Sequence, residues 1–108
     1  HGHMVGDEIL KCLCAAVDKE LRVTDVFARW GGEEFLILLP ATGINAAQGL
    51  AERIRKKIAN TSCDGIQFTV SIGVGEYSSN ESIDDLIQRV DVALYAAKNS
   101  RRNCVQRA

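Results

Sequence analysis

An α/β protein of the α+β sandwich type, with a largely antiparallel sheet covered by helices, is the fold class the sequence predicts, and three observations carry it. Ala47, Leu50, Ala51, Ile54 and Ile58 recur at helical spacing, while Glu52, Arg53, Arg55, Lys56 and Lys57 fall mostly on the other faces. That is the pattern of an amphipathic helix lying on a sheet. Ile66, Phe68, Val70, Ile72 and Val74 alternate strictly with Gln67, Thr69, Ser71, Gly73 and Gly75, the period-2 signature of a strand with one buried face. Between a short apolar run at Val26, Phe27 and Ala28 and a longer one from Phe35 to Leu39 stands Arg29-Trp30-Gly31-Gly32-Glu33-Glu34. It reads as a hairpin with acids at its tip, where Gly-Gly supplies positive φ and lets a ligand approach the backbone.

The elements follow in chain order. Ile9, Leu10, Leu13, Val17 and Leu21 predict a helix from about Asp7 to about Glu20, with Asp7 and Glu8 in its first turn, where the helix dipole favours acids. Arg22 to Asp25 is a polar joint, and the hairpin strands follow, the second ending at Pro40, which cannot continue a ladder. Thr42-Gly43-Ile44-Asn45 offers capping side chains to the amphipathic helix. After the alternating strand, Ser82 and Asp85 resemble a capping box, and the helix they open buries Ile83, Leu86, Ile87, Val90, Leu94 and Ala97 before ending near Asn99. Cys104-Val105 adds a short final strand.

Composition narrows the function classes. The 108 residues, 46% apolar and 25% charged, suit one domain with one core. A net charge of −1 without blocks of like charge argues against a polyanion-binding surface and hence against nucleic acid. With no apolar run near the roughly 18 residues of a span and no export signal, the segment is expected to make no membrane contact and to be cytoplasmic, although a parent chain could be membrane-anchored. Cys12, Cys14, Cys63 and Cys104 lack a zinc-type pair of pairs and read as buried free thiols. Trp30 and Phe35 read as packing residues.

In order along the chain stand Gly2-His3-x-x-Gly6-Asp7-Glu8-x-Leu10, Arg22-x-x-Asp25, Ala28-Arg29-Trp30-Gly31-Gly32-Glu33-Glu34-Phe35, Val70-Ser71-Ile72-Gly73-Val74, and Ala93-Leu94-Tyr95-x-Ala97-Lys98 with Arg102-Asn103. This set resembles the GGDEF family of diguanylate cyclases, in its GGEEF form, and covers essentially the whole chain. The resemblance implies a nucleotide-cyclase, ferredoxin-like fold. It also implies that residues 1–108 are the C-terminal two-thirds of a GGDEF domain, whose first helix and central strand lie upstream.

The resemblance further implies the chemistry. Family members join two GTP molecules into cyclic di-GMP with release of two pyrophosphates, each GTP held by one subunit of an antiparallel homodimer. Such displacements need Mg²⁺ (or Mn²⁺) to bridge phosphates, hence carboxylates beside an approachable backbone. By motif match, Glu33 is the metal ligand and Glu34 the second catalytic acid, while Gly31 and Gly32 lie against the substrate. Asp7 matches the carboxylate that reads guanine, although alone it reads as a helix-capping acid. Lys98 and Arg102 match the phosphate-binding pair, although alone they complement a helix dipole. Arg101 stands where glycine usually follows that helix, so a strained or reshaped loop is expected there.

Arg22 and Asp25, separated from Gly31 by five residues, match the family's inhibitory site for cyclic di-GMP. An arginine fork and an aspartate suit guanine edges and phosphate. GTP as substrate, cyclic di-GMP as product and allosteric inhibitor, and an upstream sensory domain are the expected partners, and the 108 residues alone are expected to be inactive. The second reading is a catalytically silent module that binds GTP, cyclic di-GMP or another protein.

Overall fold

The computed structural model describes residues 3–31, 34–63, 65–100 and 102–108, the side chains of residues 3–5 excepted. The element order is α1 (His3–Asp18), β1 (Val26–Gly31), β2 (Glu34–Leu38), α2 (Ile44–Ala59), β3 (Ser62–Cys63), β4 (Ile66–Gln67), β5 (Ile72–Val74), α3 (Ile83–Ser100) and β6 (Val105–Arg107). The α+β class expected from the sequence is the one observed. Among the described residues no helix is long and apolar enough to cross a membrane.

Helix α2 is the centre of the molecule. Ala47, Leu50, Ala51, Ile54 and Ile58, the face expected from periodicity, are all buried. Leu50, Ile54 and Ile58 form one cluster with Val17 of α1, against which Phe27, Ile37, Leu39, Phe68, Val70 and Ile72 pack. Ala47 and Ala51 form a second with Val74, joined by Ile72 and Val105. The helix start differs from expectation. Thr42 and Asn45 give no cap, Gly43 takes the cap position with no side-chain bond, and the carboxylate of Glu76 accepts from the Ile44 N–H at 2.7 Å instead. An acid 32 residues away thus satisfies an orphan donor that a local side chain would ordinarily take.

The strands form three two-stranded ladders. β1 and β2 are antiparallel, as are β3 and β4, whereas β5 and β6 run parallel with Ile72 opposite Val105 and Val74 opposite Arg107. The alternating run from Ile66 to Gly75 is therefore not one paired strand. Its ends belong to β4 and β5, and residues 68–71 carry no ladder. Phe68 and Val70 still turn inward onto α2, so side-chain alternation survives where the backbone has no neighbour to bond.

Several local expectations are corrected. α1 begins at His3 rather than Asp7, which leaves its first turn without an acid and puts Asp7 and Glu8 in the second. Of the face expected to be buried in α3 only Ala97 is, together with Ala93; Leu86, Ile87, Val90 and Leu94 are half-buried, and Ile83 at the first position is 60% exposed. Cys12 and Cys63 are not free thiols but joined as a disulfide with Cα atoms 6.3 Å apart, because α1 and β3 lie side by side; Cys14 and Cys104 are free. The Ser82 cap on α3 is as expected, its Oγ accepting from the Asp85 N–H at 3.1 Å.

The loop before α3 is tied to the helix by an ion pair. Arg89 Nη2 lies 2.7 Å from Glu81 Oε1, and the Ser78 N–H donates to the same oxygen at 3.0 Å. The Arg89 guanidinium first, and the Ser78 amide second, hold the Glu81 carboxyl below the usual carboxylate range. A folded-state pKa lowered in this way adds stability above the unfolded pKa and loses it as pH falls through the folded one. Glu81→Gln is therefore expected to lower the melting temperature near neutral pH, with the gap to the parent closing in strong acid. A gap that stayed constant across that titration would contradict the assignment.

Candidate active site

The hairpin is built by register. Val26 pairs with Leu38, Phe27 with Ile37, Ala28 with Leu36 and Arg29 with Phe35, and after a bulge Gly31 pairs with Glu34. Phe27 and Phe35 lie diagonally across the ladder and stack with ring centroids 5.3 Å apart. Phe35 is thus a packing residue as expected. Trp30 is not: it stands unmatched at the bulge and is 57% exposed, as bulges re-aim a side chain.

The tip residues Gly32 and Glu33 lie outside the described residues. Gly31 does not adopt positive φ, so turn geometry is not what its glycine serves. Among the described residues a Cβ placed on Gly31 would meet nothing within 4 Å, so their packing does not require glycine there either. No described residue covers the backbone at Gly31 on the side where a side chain would stand.

Glu34 starts β2 half-buried, and its Oε2 lies 3.6 Å from Lys98 Nζ in the last turn of α3. Two residues assigned to one site by separate motifs, 64 positions apart in sequence, therefore meet. Arg102 forms no ion pair with Glu34. It lies past the end of α3 with its N–H bonded to Ala97 O at 3.1 Å, and it lines a polar cleft of about 400 Å³ with Glu52, Arg55 and Asn103. Arg101 lies outside the described residues, but Arg102 and Asn103 take φ of 50° and 41°, two successive left-handed residues without glycine. Arg55 pins this turn, its Nη1 donating to Asn103 Oδ1 at 3.1 Å. The Glu52 carboxylate beside it raises the Arg55 pKa further above its ordinary value. Arg55 and Glu76 were missed by sequence reading, since each acts through a partner distant in the chain.

Beside the hairpin a largely apolar cleft of about 240 Å³ is lined by Leu10 and Cys14 of α1 and by Phe27, Ala28, Arg29 and Phe35. Asp7 is exposed and lies one helical turn before Leu10, towards the N-terminal rim of this cleft. Arg22 and Asp25 sit in the joint before β1, with Arg22 Nη2 3.6 Å from Asp25 Oδ1. No cluster of three or more His, Cys, Asp or Glu side chains suited to a metal ion occurs among the described residues.

Fold and site together define an α+β domain whose acidic, glycine-edged hairpin faces the end of its last helix. The sequence pattern described as "Diguanylate cyclase, GGDEF domain" matches residues 1–104, and the chain belongs to that family. It is 51% identical over 106 residues to diguanylate cyclase DgcM of Escherichia coli strain K12, which covers 97% of this chain and 26% of that protein. It therefore spans about a quarter of that relative's length. The active GGEEF domain of a diguanylate cyclase from Vibrio cholerae is similar with a TM-score of 0.90 at 33% identity, over 98% of this chain and 70% of the other. The GGDEF domain of DgcB from Caulobacter crescentus, in complex with c-di-GMP, gives 0.88 at 28% identity, over 98% and 66%.

Proposed function

We propose that the chain belongs to a working cyclase domain, which condenses two GTP into cyclic di-GMP as an antiparallel homodimer and answers to an upstream sensory domain in the parent protein. The observation that carries this reading is the meeting of Glu34 and Lys98 at 3.6 Å beside an open backbone at Gly31. An acid for cations, a cation for phosphate and a main chain free for close approach are what phosphoryl transfer from a nucleotide needs.

Within that reading each residue has a task. Gly31 and Gly32 admit the phosphates to the backbone, and Lys98 neutralises phosphate charge, with Arg102 approaching from the turn beyond α3. Asp7 accepts from the guanine N1–H and amine at the cleft rim. The hard oxygens of Glu33 and Glu34 fit Mg²⁺ or Mn²⁺, since Mg²⁺ takes about one or two carboxylates and fills its remaining positions with water and substrate phosphate. Bound there, such an ion would lower the pKa of the attacking 3′-hydroxyl and offset phosphate charge. In each half-reaction the 3′-hydroxyl gives up its proton to solvent water as its oxygen forms a bond to the partner nucleotide's α-phosphorus, the bond from that phosphorus to the α–β bridging oxygen breaks, and pyrophosphate leaves with the electron pair.

Arg22 and Asp25 form the inhibitory site for the product in this reading. The domain also needs a strand between β2 and residues 68–71, which both lie over α2 and share no ladder. The full-length protein incubated with GTP and Mg²⁺ is expected to yield cyclic di-GMP and two equivalents of pyrophosphate, and residues 1–108 alone to yield none. GTP or cyclic di-GMP binding without turnover would instead favour a silent module. Product from residues 1–108 alone would refute the need for a further strand.

A further inference from the structure

The joint that holds Arg22 and Asp25 is closed on itself. The Arg22 N–H donates to Asp25 Oδ2 at 2.8 Å, and the Asp25 N–H donates back to Arg22 O at 3.0 Å. The Asp25 side chain is only 2% exposed, whereas that of Arg22 is 61% exposed. A ligand arriving from solvent therefore meets the guanidinium first and reaches the carboxylate only after rearrangement.

That guanidinium is not free. Arg22 Nη2 donates to Thr42 Oγ1 at 2.6 Å, shorter than its 3.5 Å approach to Pro40 O or its 3.6 Å approach to Asp25 Oδ1. The Thr42 hydroxyl spends its own proton on Pro40 O at 3.0 Å, so towards Arg22 it acts as an acceptor. Between them Ala41 takes φ of 52°, a left-handed conformation that alanine adopts only when its surroundings impose it. The turn from Pro40 to Thr42 is thus folded so that two oxygens face one arginine nitrogen, 18 and 20 positions earlier in the chain.

We propose that Thr42 is a positioning residue that holds Arg22 away from cyclic di-GMP and thereby sets the affinity of the inhibitory site. This rests on the reading of Arg22 as a ligand for the product. The fork of an arginine grips a guanine edge or a phosphate with paired donors, and here one arm of that fork is already committed. Binding requires the Arg22–Thr42 bond to break, so apparent affinity is reduced by the fraction of molecules in which Arg22 has left the turn. Thr42 makes no contact with ligand in this scheme; it acts through Arg22 alone.

The test is calorimetric titration of the full-length protein with cyclic di-GMP in the absence of GTP. Thr42→Val, which keeps the shape and removes the acceptor, is expected to tighten binding about three- to tenfold, the range of an ordinary net hydrogen bond, because the Arg22 side chain is 61% exposed and well solvated. Thr42→Ser restores the acceptor and should bind as the parent does, and Arg22→Ala should lose binding. Thr42→Ala reads the same loss of acceptor if the valine variant does not fold. Parental affinity in Arg22→Ala would overturn the assignment of the site itself. Loss of binding in Arg22→Ala with unchanged or weaker binding in both Thr42→Val and Thr42→Ala would overturn the restraint while leaving the site standing.

Discussion

Glu33→Ala in the full-length protein is expected to cut cyclic di-GMP production by about 10³-fold or more. A cation stabilises developing phosphoryl charge by several kcal/mol, and each 1.36 kcal/mol is about tenfold in rate. The loss should fall on kcat, because the carboxylate's contribution is realised as charge develops, while the proposed contacts of Gly31, Lys98 and Asp7 with GTP are untouched by the substitution. A steady-state assay at saturating GTP with varied Mg²⁺ or Mn²⁺ reads this directly. Turnover within tenfold of the parent, with an unchanged metal requirement, would remove Glu33 from the catalytic centre.

The largest effect on stability is expected from Gly73→Ala. A Cβ at Gly73 would stand 2.5 Å from Val90 O and 2.6 Å from Leu94 N, both backbone atoms of α3. No rotamer change can relieve that contact. The helix must lift from β5, and Ala93 and Ala97, buried on the same face, lift with it. Overpacking typically costs about 1–3 kcal/mol, and a backbone obstacle places this case at the upper end. For a domain of this size about 3 kcal/mol corresponds to a fall of about 10–20 °C in melting temperature. Gly49→Ala is the control: it lies in α2 with nothing within 4 Å of the added carbon, so the helix should gain up to about 1 kcal/mol. An unchanged melting temperature in Gly73→Ala would contradict the packing of α3 on β5.

What could be read in advance divides along a physical line. The buried face of α2 was legible because five apolar residues at helical spacing have only one way to point inward. The hairpin was legible because two apolar runs flank paired glycines, and the α3 start because Ser82 caps it within three residues. Contacts between distant segments were not legible. Nothing near Ile44 points to Glu76 as its cap, nothing near Cys12 points to Cys63, and nothing in the run from Ile72 to Val74 says its neighbour will be parallel. Gly73 looked like the polar half of an alternation, whereas it is the place where helix and strand backbones nearly touch. At the site, the motif matches named Glu34 and Lys98, but only the fold shows them as partners.

The contact between Glu34 and Lys98 is a weak one. With both side chains about two-fifths exposed, such a pair is worth about 1 kcal/mol or less. Lys98 thus serves as a resident counter-ion, keeping Glu34 neutralised at little cost until other charges arrive. In the proposed cyclase a carboxylate and an ammonium held this loosely would be free to turn to a cation and to a phosphate, so that neither charge would be left without company.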